Sequence, residues 1–350
     1  MKRLAALALV CAALAGCAAP SPATPTDRAL VDELDPVAYP KGYKENPTKE
    51  DPLRDCGDET RSWRPTPGDA DGPTVRAIRE KGYLVVGVSQ TALLLSRRDQ
   101  VSGKMSGYEV DIANAIARAL FGDRWEQSLR FVNMPTGKRL LSLDTQPNRE
   151  VRARDATVEE VPQVDMVLAD VTVTCTRVTQ FGIAYSRPYL TTRSGLMVRD
   201  GFKEDAQGPD DLGGSVVCSG DQTTNSAEMI EIRDRQVVEG KTPLRPVTVQ
   251  DTSECLPLLQ RGLVDAIATD TVILAGFRLQ DPGTRVLPYR DAEGTTAISL
   301  SGDPERRDLV RFTNGVLDRM RADNSLSRAH DTALSTMEDR SALPDEPYRD

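Results

Sequence analysis

The chain has 350 residues, and its 44 Lys and Arg stand against 53 Asp and Glu, so the formal net charge at pH 7 is −9. A chain longer than about 250–300 residues predicts two structural domains. Apolar residues make up 39% and charged residues 28%, which is typical of a globular chain rather than a disordered one. The negative charge disfavours a nucleic-acid partner. The only histidine, His330, leaves little room for a His-based catalytic triad or a multi-His metal site.

The first residues have the pattern of a secretory signal. Lys2 and Arg3 precede an uncharged run, residues 4–14, that is too short to span a bilayer, which needs about 20 residues. The run ends in Leu-Ala-Gly-Cys at 14–17, which resembles the bacterial lipobox. This resemblance implies cleavage after residue 16 and a lipid on Cys17 that anchors the chain to the extracellular face of the cell membrane. The alternative is an ordinary secretory signal that contains a cysteine.

The next segment is rich in proline. Residues 18–73 contain ten of the 23 prolines and show no sustained hydrophobic periodicity. Such a composition favours an extended chain. We therefore expect residues 17–73 to form a tether and ordered structure to begin near Thr74.

From Thr74 onward, strand-like and helix-like segments alternate, which predicts an α/β architecture with mainly parallel strands. Ile112, Ile116 and Leu120 repeat at four-residue spacing and predict a helix face that packs on a sheet. The charged stretch at 147–163 is predicted to be a surface loop. The predicted strands are 83–88, 164–169, 212–218, 246–250, 266–269 and 297–301, and the predicted helices are 108–120, 226–238, 253–261 and 305–322.

The predicted export determines which cysteines are available for disulfide bonds. Cys11 leaves with the signal and Cys17 takes the lipid, so an even number remains in an oxidising compartment. The four that remain are Cys56, Cys175, Cys218 and Cys255. They allow three pairings. Because the last two lie in the same later region, we predict the pairs Cys218–Cys255 and Cys56–Cys175. A zinc site is the alternative, but the chain has no CxxC spacing and a single histidine.

The segment 107–112, Gly-Tyr-Glu-Val-Asp-Ile, followed by Ile116, Ala117 and Leu120, resembles the signature of the family 3 extracellular solute-binding proteins. These are the polar amino-acid-binding components of ABC importers. Further blocks occur in the family's order at 82–88, 164–177, 186–189 and 262–270. The similarity covers about residues 74–330 and is greatest to glutamine- or glutamate-binding lipoproteins of the actinobacterial type.

The resemblance implies a type II periplasmic-binding-protein fold, in which two α/β lobes are joined by two crossover segments around a central ligand cleft. The crossovers are expected near Gly195–Val198 and Thr295–Ile298, where they would act as a hinge. The expected division is a signal peptide at 1–16, a lipid-anchored tether at 17–73, the first part of lobe 1 at 74–195, lobe 2 at 196–296, and the return to lobe 1 with a C-terminal tail at 297–350.

A free amino acid presents a carboxylate and an ammonium group, so its capture requires a fixed cation with several donors and a fixed carboxylate. Arg177 follows a strand end and can hold a carboxylate bidentately. The resemblance assigns it that role, although an arginine there could also be a surface residue. It also assigns contacts to Thr172 and to the backbone of Asp170, and the ammonium group to Asp270. The family often has a small residue at 170, which leaves the role of the Asp170 side chain open.

Other polar residues are candidates for the same cleft. Thr223, Thr224 and Asn225 precede a predicted helix, so they either receive a carboxylate or merely cap the helix. Selectivity is expected from residues 89–95, which include Gln90, and from Arg139, which fits an exposed surface residue equally well. Leucines stand at 93–95, where many relatives have an aromatic residue. Asp111 and Asp265 are assigned structural roles.

Together these residues predict a monomeric, extracellular, lipid-anchored protein that is not an enzyme. It captures a polar amino acid of the glutamate, glutamine, aspartate or asparagine class without a cofactor or metal and delivers it to an ABC permease. One alternative is an amino-acid sensor that signals to a membrane partner. A more remote alternative is an exported cyclohexadienyl-type dehydratase, for which Asp170 is the candidate general acid.

Overall fold

The computed structural model describes residues 39–47, 55–155, 160–289, 293–337 and 342–349. The predicted signal peptide and Cys17 lie outside these ranges. From Pro40 onward the chain forms one compact unit. Within the described ranges, no helix combines the length and the apolar character needed to cross a membrane.

The described secondary structure alternates strands and helices. The strands are Lys44–Glu45 (β1), Leu84–Val88 (β2), Thr91–Ala92 (β3), Ser96–Arg98 (β4), Met105–Ser106 (β5), Leu129–Asn133 (β6), Met166–Val167 (β7), Ile183–Tyr185 (β8), Leu190–Arg199 (β9), Val216–Gly220 (β10), Arg245–Val249 (β11), Ala266–Asp270 (β12), Thr284–Val286 (β13), Glu293–Thr296 (β14) and Ser299–Ser301 (β15). The α-helices are Pro73–Lys81 (α1), Tyr108–Phe121 (α2), Trp125–Ser128 (α3), Gln146–Arg154 (α4), Cys175–Phe181 (α5), Thr224–Val238 (α6), Cys255–Gln260 (α7), Thr271–Gln280 (α8), Arg307–Ala322 (α9) and Ser325–Ala333 (α10).

Lobe 1 is built on a sheet with the strand order β6-β2-β7-β15-β8. Strand β2 is parallel to β6 and β7, whereas β15 is antiparallel to β7 and β8. Four of the five side-chain positions in β2 are buried, as an apolar run in the middle of a covered sheet predicts. Ile112 and Ile116 of α2 pack in the same core as Val86 and Met166 of the sheet.

Lobe 2 is built on a sheet with the strand order β1-β11-β10-β12-β9-β13. Strand β10 is parallel to β11 and β12, so the carboxyl ends of these three strands meet at one edge. Apolar side chains of α6 cover one face, and those of α7 and α8 cover the other. Open α/β sheets place ligands at such an edge, and here it borders lobe 1.

Two segments cross between the lobes. The first half of β9 pairs with β14 from Leu190↔Thr296 to Arg193↔Glu293, and its second half pairs with β12 in lobe 2. The first crossing therefore lies just before Gly195, not at Gly195–Val198 as expected, because these residues already belong to the lobe 2 sheet. The predicted type II fold, with two α/β lobes and two crossovers, is confirmed.

The stretch predicted as a surface loop at 147–163 begins instead with helix α4. Thr145 caps this helix by accepting a hydrogen bond from the Asn148 backbone N–H at 3.3 Å, and Pro147 lies in its first turn. The buried Asn148 side chain donates to the carbonyls of Leu140 and Leu143, each at 2.8 Å. The sequence pattern does not predict this helix, because the helix has no apolar stripe and its buried contacts are hydrogen bonds.

The prediction of an extended tether up to residue 73 is wrong for the part that the structure describes. Strand β1 adds to the edge of the lobe 2 sheet, with Lys44 opposite Thr248. Ser62 is buried, donates to the Tyr185 carbonyl at 2.6 Å and accepts from Asn314 Nδ2 at 2.6 Å. Prolines do not prevent such packing, because they remove backbone donors only at their own positions.

The structure forms both predicted disulfides. Cys218 and Cys255 join β10 to α7, and both residues are fully buried in the core of lobe 2. Cys56 and Cys175 join the N-terminal segment to the first residue of α5. The second bond covalently ties residue 56 to lobe 1.

The start of α2 depends on a close approach between two backbone segments. The backbone N–H groups of Tyr108 and Glu109 donate to the Leu94 and Leu95 carbonyls at 3.1 and 2.9 Å. Gly107 has a φ of 127°, and a Cβ there would lie 2.4 Å from the Leu95 oxygen. Only glycine fits these two conditions together.

We expect Gly107→Ala to lower the free energy of unfolding by about 3 kcal/mol or more, since backbone strain and overpacking add. Gly103→Ala is the matched control: φ is 70°, but no atom lies within 4 Å of the added Cβ, so about 1 kcal/mol is expected. Urea unfolding measures both. Equal losses in the two variants would show that the close contact does not constrain the fold.

Candidate functional site

A polar cleft lies between the two lobes. Eight of the predicted site residues line it, and Gln90 does not. The lining side chains that sequence reasoning proposed are Arg139, Asp170, Thr172, Arg177, Thr223, Thr224, Asn225 and Asp270.

Arg177 is held in the cleft by backbone oxygens. It lies in the first turn of α5, whose N-cap Thr174 accepts a hydrogen bond from the Arg177 backbone N–H at 3.3 Å. The guanidinium donates to the Thr172 carbonyl at 2.5 Å and to the Gln222 carbonyl at 3.5 Å. It is buried with 5% of its surface exposed. Among the described residues, no ion pair neutralises Arg177, so its positive charge is available to an anion.

Asp270 ends β12 and lies opposite, in lobe 2. It is buried, and its Oδ1 accepts a hydrogen bond from Asn225 Nδ2 at 2.9 Å. Asn225 also donates to Ser194 Oγ at 2.9 Å. Thr223 acts as the N-cap of α6, because its hydroxyl accepts from the Ser226 N–H at 3.0 Å. Of these polar residues, Asn225 orients Asp270, whereas Thr223 shapes the helix end.

Asp170 follows β7 and contacts both lobes. Its backbone is in the left-handed region, with a φ of 51°, which glycine, Asn and Asp adopt most readily. Its carboxyl accepts a hydrogen bond from Thr296 Oγ1 at 3.1 Å and lies within hydrogen-bonding contact of the Asp270 carboxyl. The side chain whose role was open therefore points into the cleft, toward Asp270.

Glu109 is a buried carboxyl that the sequence reasoning missed. Its oxygens accept hydrogen bonds from Ser96 Oγ at 3.2 Å, from the Asp170 backbone N–H at 2.7 Å and from the Tyr189 hydroxyl. Through the bond from the Asp170 N–H, Glu109 fixes the position of the Asp170 backbone. One signal was present in the sequence: Glu109 stands between Tyr108 and Val110 in the signature segment at 107–112, in the first turn of the helix that packs on the sheet.

Arg139 is buried, not the exposed residue that was the alternative. It lies in a 3-10 turn, Thr136–Ser142, and its guanidinium donates to the Ala169 carbonyl. Burial, together with the nearby charge of Arg177, lowers the pKa of Arg139 to about 10. Arg139 therefore stays protonated at neutral pH, and no described carboxylate forms an ion pair with it.

Burial dominates the electrostatics of the three carboxyl groups. It raises the pKa values of Glu109, Asp170 and Asp270 above their usual range, because a charged carboxylate loses its hydration. For Asp170, the negative charges of Asp270 and Glu109 raise the pKa further. The cleft therefore favours retention of a proton on the Asp170 and Asp270 pair.

Gln90 does not face the cleft. Its Oε1 accepts a hydrogen bond from Arg98 Nε at 2.8 Å, and its backbone N–H donates to Asn133 Oδ1 at 3.0 Å. The structure does not bring Gln90 together with the other predicted site residues, because Arg98 of the neighbouring β4 strand engages its side chain. Its neighbours Ser89 and Thr91 line the cleft instead.

Apolar contact in the cleft comes from lobe 2. Ile273 and Phe277 of α8 line it, whereas Leu94 and Leu95, from the leucine run at 93–95, lie in the core of lobe 1. An aromatic side chain, Phe277, is thus present in the cleft, but on the opposite lobe from residues 93–95, where many relatives have one. The leucines at 93–95 alone do not indicate that lobe 2 supplies this side chain.

The lobes also contact each other directly across the cleft. The Gly137 backbone N–H donates to the Gln250 carbonyl at 3.0 Å, and the Thr252 backbone N–H donates to Thr136 Oγ1 at 3.3 Å. Arg177 of lobe 1 reaches the Gln222 carbonyl of lobe 2. These bonds bring the charged groups of both lobes into one enclosed site.

Comparison with known proteins agrees with this geometry. No family model matches the chain. The glutamate-binding protein GluB of Corynebacterium efficiens is 28% identical over 275 residues, 75% of this chain and 82% of that protein. The ABC transporter glutamine-binding protein GlnH of Bacillus subtilis is 24% identical over 254 residues, 71% of this chain and 80% of that protein. The chain is a homologue of these amino-acid-binding proteins. The predicted resemblance to family 3 solute-binding proteins is confirmed.

Solved structures of amino-acid-binding proteins have the same fold as this chain. The cysteine-binding protein from Campylobacter jejuni superposes with a TM-score of 0.63 at 18% identity, covering 78% of this chain and 99% of that chain. At such low identity the likeness establishes the architecture and not the ligand. The charges and hydrogen-bonding groups of the cleft indicate the class of ligand.

The raised pKa of Asp170 predicts a stability effect with a defined sign. Because the folded pKa exceeds the unfolded value of about 3.9, the unfolded chain loses its proton first as pH rises, so the free energy of unfolding falls between pH 3.9 and the raised pKa. Asp170→Asn removes the charge and tolerates the positive φ, so we expect it to be more stable than the original protein at pH 7, by on the order of 1 kcal/mol or about 2–4 °C in Tm.

Calorimetry across pH measures this effect. The control is Asp323→Asn, an exposed position whose pKa is lowered by hydrogen bonds from Ser325, so it should bring no gain. A decrease in Tm for Asp170→Asn at pH 7 would contradict the electrostatic account.

Proposed function

We propose that this protein captures a free polar amino acid of the glutamate, glutamine, aspartate or asparagine class and delivers it to an ABC permease. The observation that carries the proposal is the placement of Arg177 and Asp270, both buried, on opposite sides of one cleft. An amino acid carries the complementary pair of charges on neighbouring atoms.

Arg177 is suited to the α-carboxylate. Two of its donors already bond to carbonyl oxygens, which fixes the guanidinium plane before the amino acid arrives. Pre-orientation of this kind reduces the entropy cost of binding. Thr172 and Thr224 line the same part of the cleft and can add hydroxyl or backbone donors.

Asp270 is suited to the α-ammonium group. The hydrogen bond from Asn225 fixes its carboxylate at the end of β12. Since Arg177 belongs to lobe 1 and Asp270 to lobe 2, one amino acid would contact both lobes. Binding energy would then add to the direct hydrogen bonds that hold the lobes together.

The cellular setting follows from the N-terminal sequence. We propose cleavage after residue 16, lipid attachment at Cys17 and a monomer held at the extracellular face of the membrane. The disulfides Cys56–Cys175 and Cys218–Cys255 suit an oxidising location. The proposed lobes are 74–194 with 297–350, and 195–296, with the first boundary moved by one residue because Gly195 pairs with β12 in the lobe 2 sheet. The cleft is proposed to bind its amino acid without changing it chemically, and its homologues are named as binding proteins.

Thermal unfolding in the presence of each of the twenty amino acids tests the proposal. An amino acid at 100 times its Kd should add about 2.7 kcal/mol to the stability. We expect the largest shift from a member of the proposed class. No shift with any of the twenty would contradict the proposed function.

Substitution of Arg177 tests its role. Arg177→Lys keeps the charge but loses the bidentate geometry, so the Kd should rise at least about tenfold, and Arg177→Ala should raise it about a hundredfold or more. Arg118→Lys, an exposed arginine over the Trp125 ring, is the matched control and should leave the Kd unchanged. Calorimetric titration measures the Kd, and an unchanged Kd in Arg177→Ala would refute the assignment.

A further inference from the structure

The cleft places a second carboxyl group beside the one that the capture of an amino acid requires. Asp270 alone can receive an ammonium group, yet Asp170 points at the same place from the other lobe. We infer that Asp170 and Asp270 share one proton and that the ammonium group of the bound amino acid displaces it to solvent. This inference rests on the proposed function and concerns the same site.

The contact between the two carboxyl groups requires the proton. An ionised carboxylate has acceptor oxygens only, so two carboxyl groups can hydrogen-bond only if one carries a proton. Both side chains are buried, which leaves little bulk water to separate two negative charges. Asp270 accepts the Asn225 donor at 2.9 Å, and Asp170 accepts the Thr296 donor at 3.1 Å. These bonds hold the pair in contact from both sides.

The charge balance of the surroundings agrees with one shared proton. The cations that face the pair are Arg139 and Arg177, and the further carboxylate is Glu109. Burial raises the pKa of Glu109, and its three hydrogen bonds oppose that effect by favouring the charged form. Tyr189 also faces this cluster, and burial keeps its phenol protonated by raising its pKa. Two positive charges then face Glu109 and one charge on the pair.

Asp251 is the other acidic residue that lines the cleft. Its Oδ1 accepts hydrogen bonds from the Ser253 N–H at 3.0 Å and the Ser253 hydroxyl at 2.7 Å. Its carboxylate is therefore stabilised locally at the turn before α7. The shared proton belongs to the pair at the lobe interface and not to this turn.

Binding replaces the shared proton with the ammonium group of the amino acid. The ammonium group supplies three N–H donors, enough to bond to both carboxylates at once. The pair releases its proton to solvent as the ammonium group enters, and no covalent bond to carbon changes. The net charge of the two carboxyl groups plus their bound cation is the same with the proton as with the ammonium group. Below the pKa of the pair, this exchange should raise the Kd about tenfold for each unit of decrease in pH. Above that pKa the Kd should be constant.

Calorimetric titration of the full chain counts the protons. L-glutamine, L-glutamate and L-arginine are titrated in phosphate and in Tris at the same pH, since the two buffers differ in ionisation heat. We expect release approaching one proton per bound amino acid at acid pH, falling toward zero at higher pH. Asp170→Asn should release fewer protons than the original protein, and the pH dependence of its Kd should begin at lower pH, because only burial then raises the pKa of Asp270. Asp170→Gly, which suits the φ of 51°, serves as a second variant without the carboxyl.

Asp323→Asn is the matched control and should release protons as the original protein does. Binding without net proton release would overturn the shared proton while leaving the proposed function intact. The same release from Asp170→Asn would also overturn it, because the proton would then come from another group. Failure of all twenty amino acids to shift the unfolding temperature would overturn the proposed function and this inference with it.

Discussion

Arg139, Arg177, Asp170 and Asp270 line one cleft, and Glu109 is buried beside it. All five are removed from water, and charged groups taken from water must be paired or hydrogen-bonded. The protein meets this demand with backbone carbonyls for the arginines and with hydroxyl, amide and backbone donors for the acids. Each lobe supplies only part of the set. The position of the two lobes therefore decides whether these charges compensate one another.

The surrounding fold fixes these groups at their backbones. Asp270 ends a strand that is paired on both sides, by β9 and β10. Arg177 lies two residues after Cys175, which is cross-linked to Cys56 in the N-terminal segment. That segment is thus part of the scaffold of the site, because its disulfide restrains the first turn of the helix that presents the guanidinium.

The sequence predicts the fold class, both disulfides and eight of the residues that line the cleft, because strands, signature blocks and cysteines leave local patterns. Asp170 and Glu109 show what such patterns do not contain. The contact of Asp170 with Asp270 joins residues 100 positions apart, and Glu109 accepts hydrogen bonds from groups of three separate segments. Gln90 lies apart from the other predicted site residues because neighbouring residues on an extended segment point in opposite directions, and the side that faces the cleft depends on β4.

The most direct test of the central claim is a crystal structure with the amino acid that gives the largest thermal shift. The account predicts the α-carboxylate within hydrogen-bonding distance of the Arg177 guanidinium and the ammonium nitrogen within about 3 Å of carboxylate oxygens of both Asp170 and Asp270. An amino acid bound elsewhere, or one whose ammonium group contacts neither carboxylate, would contradict it.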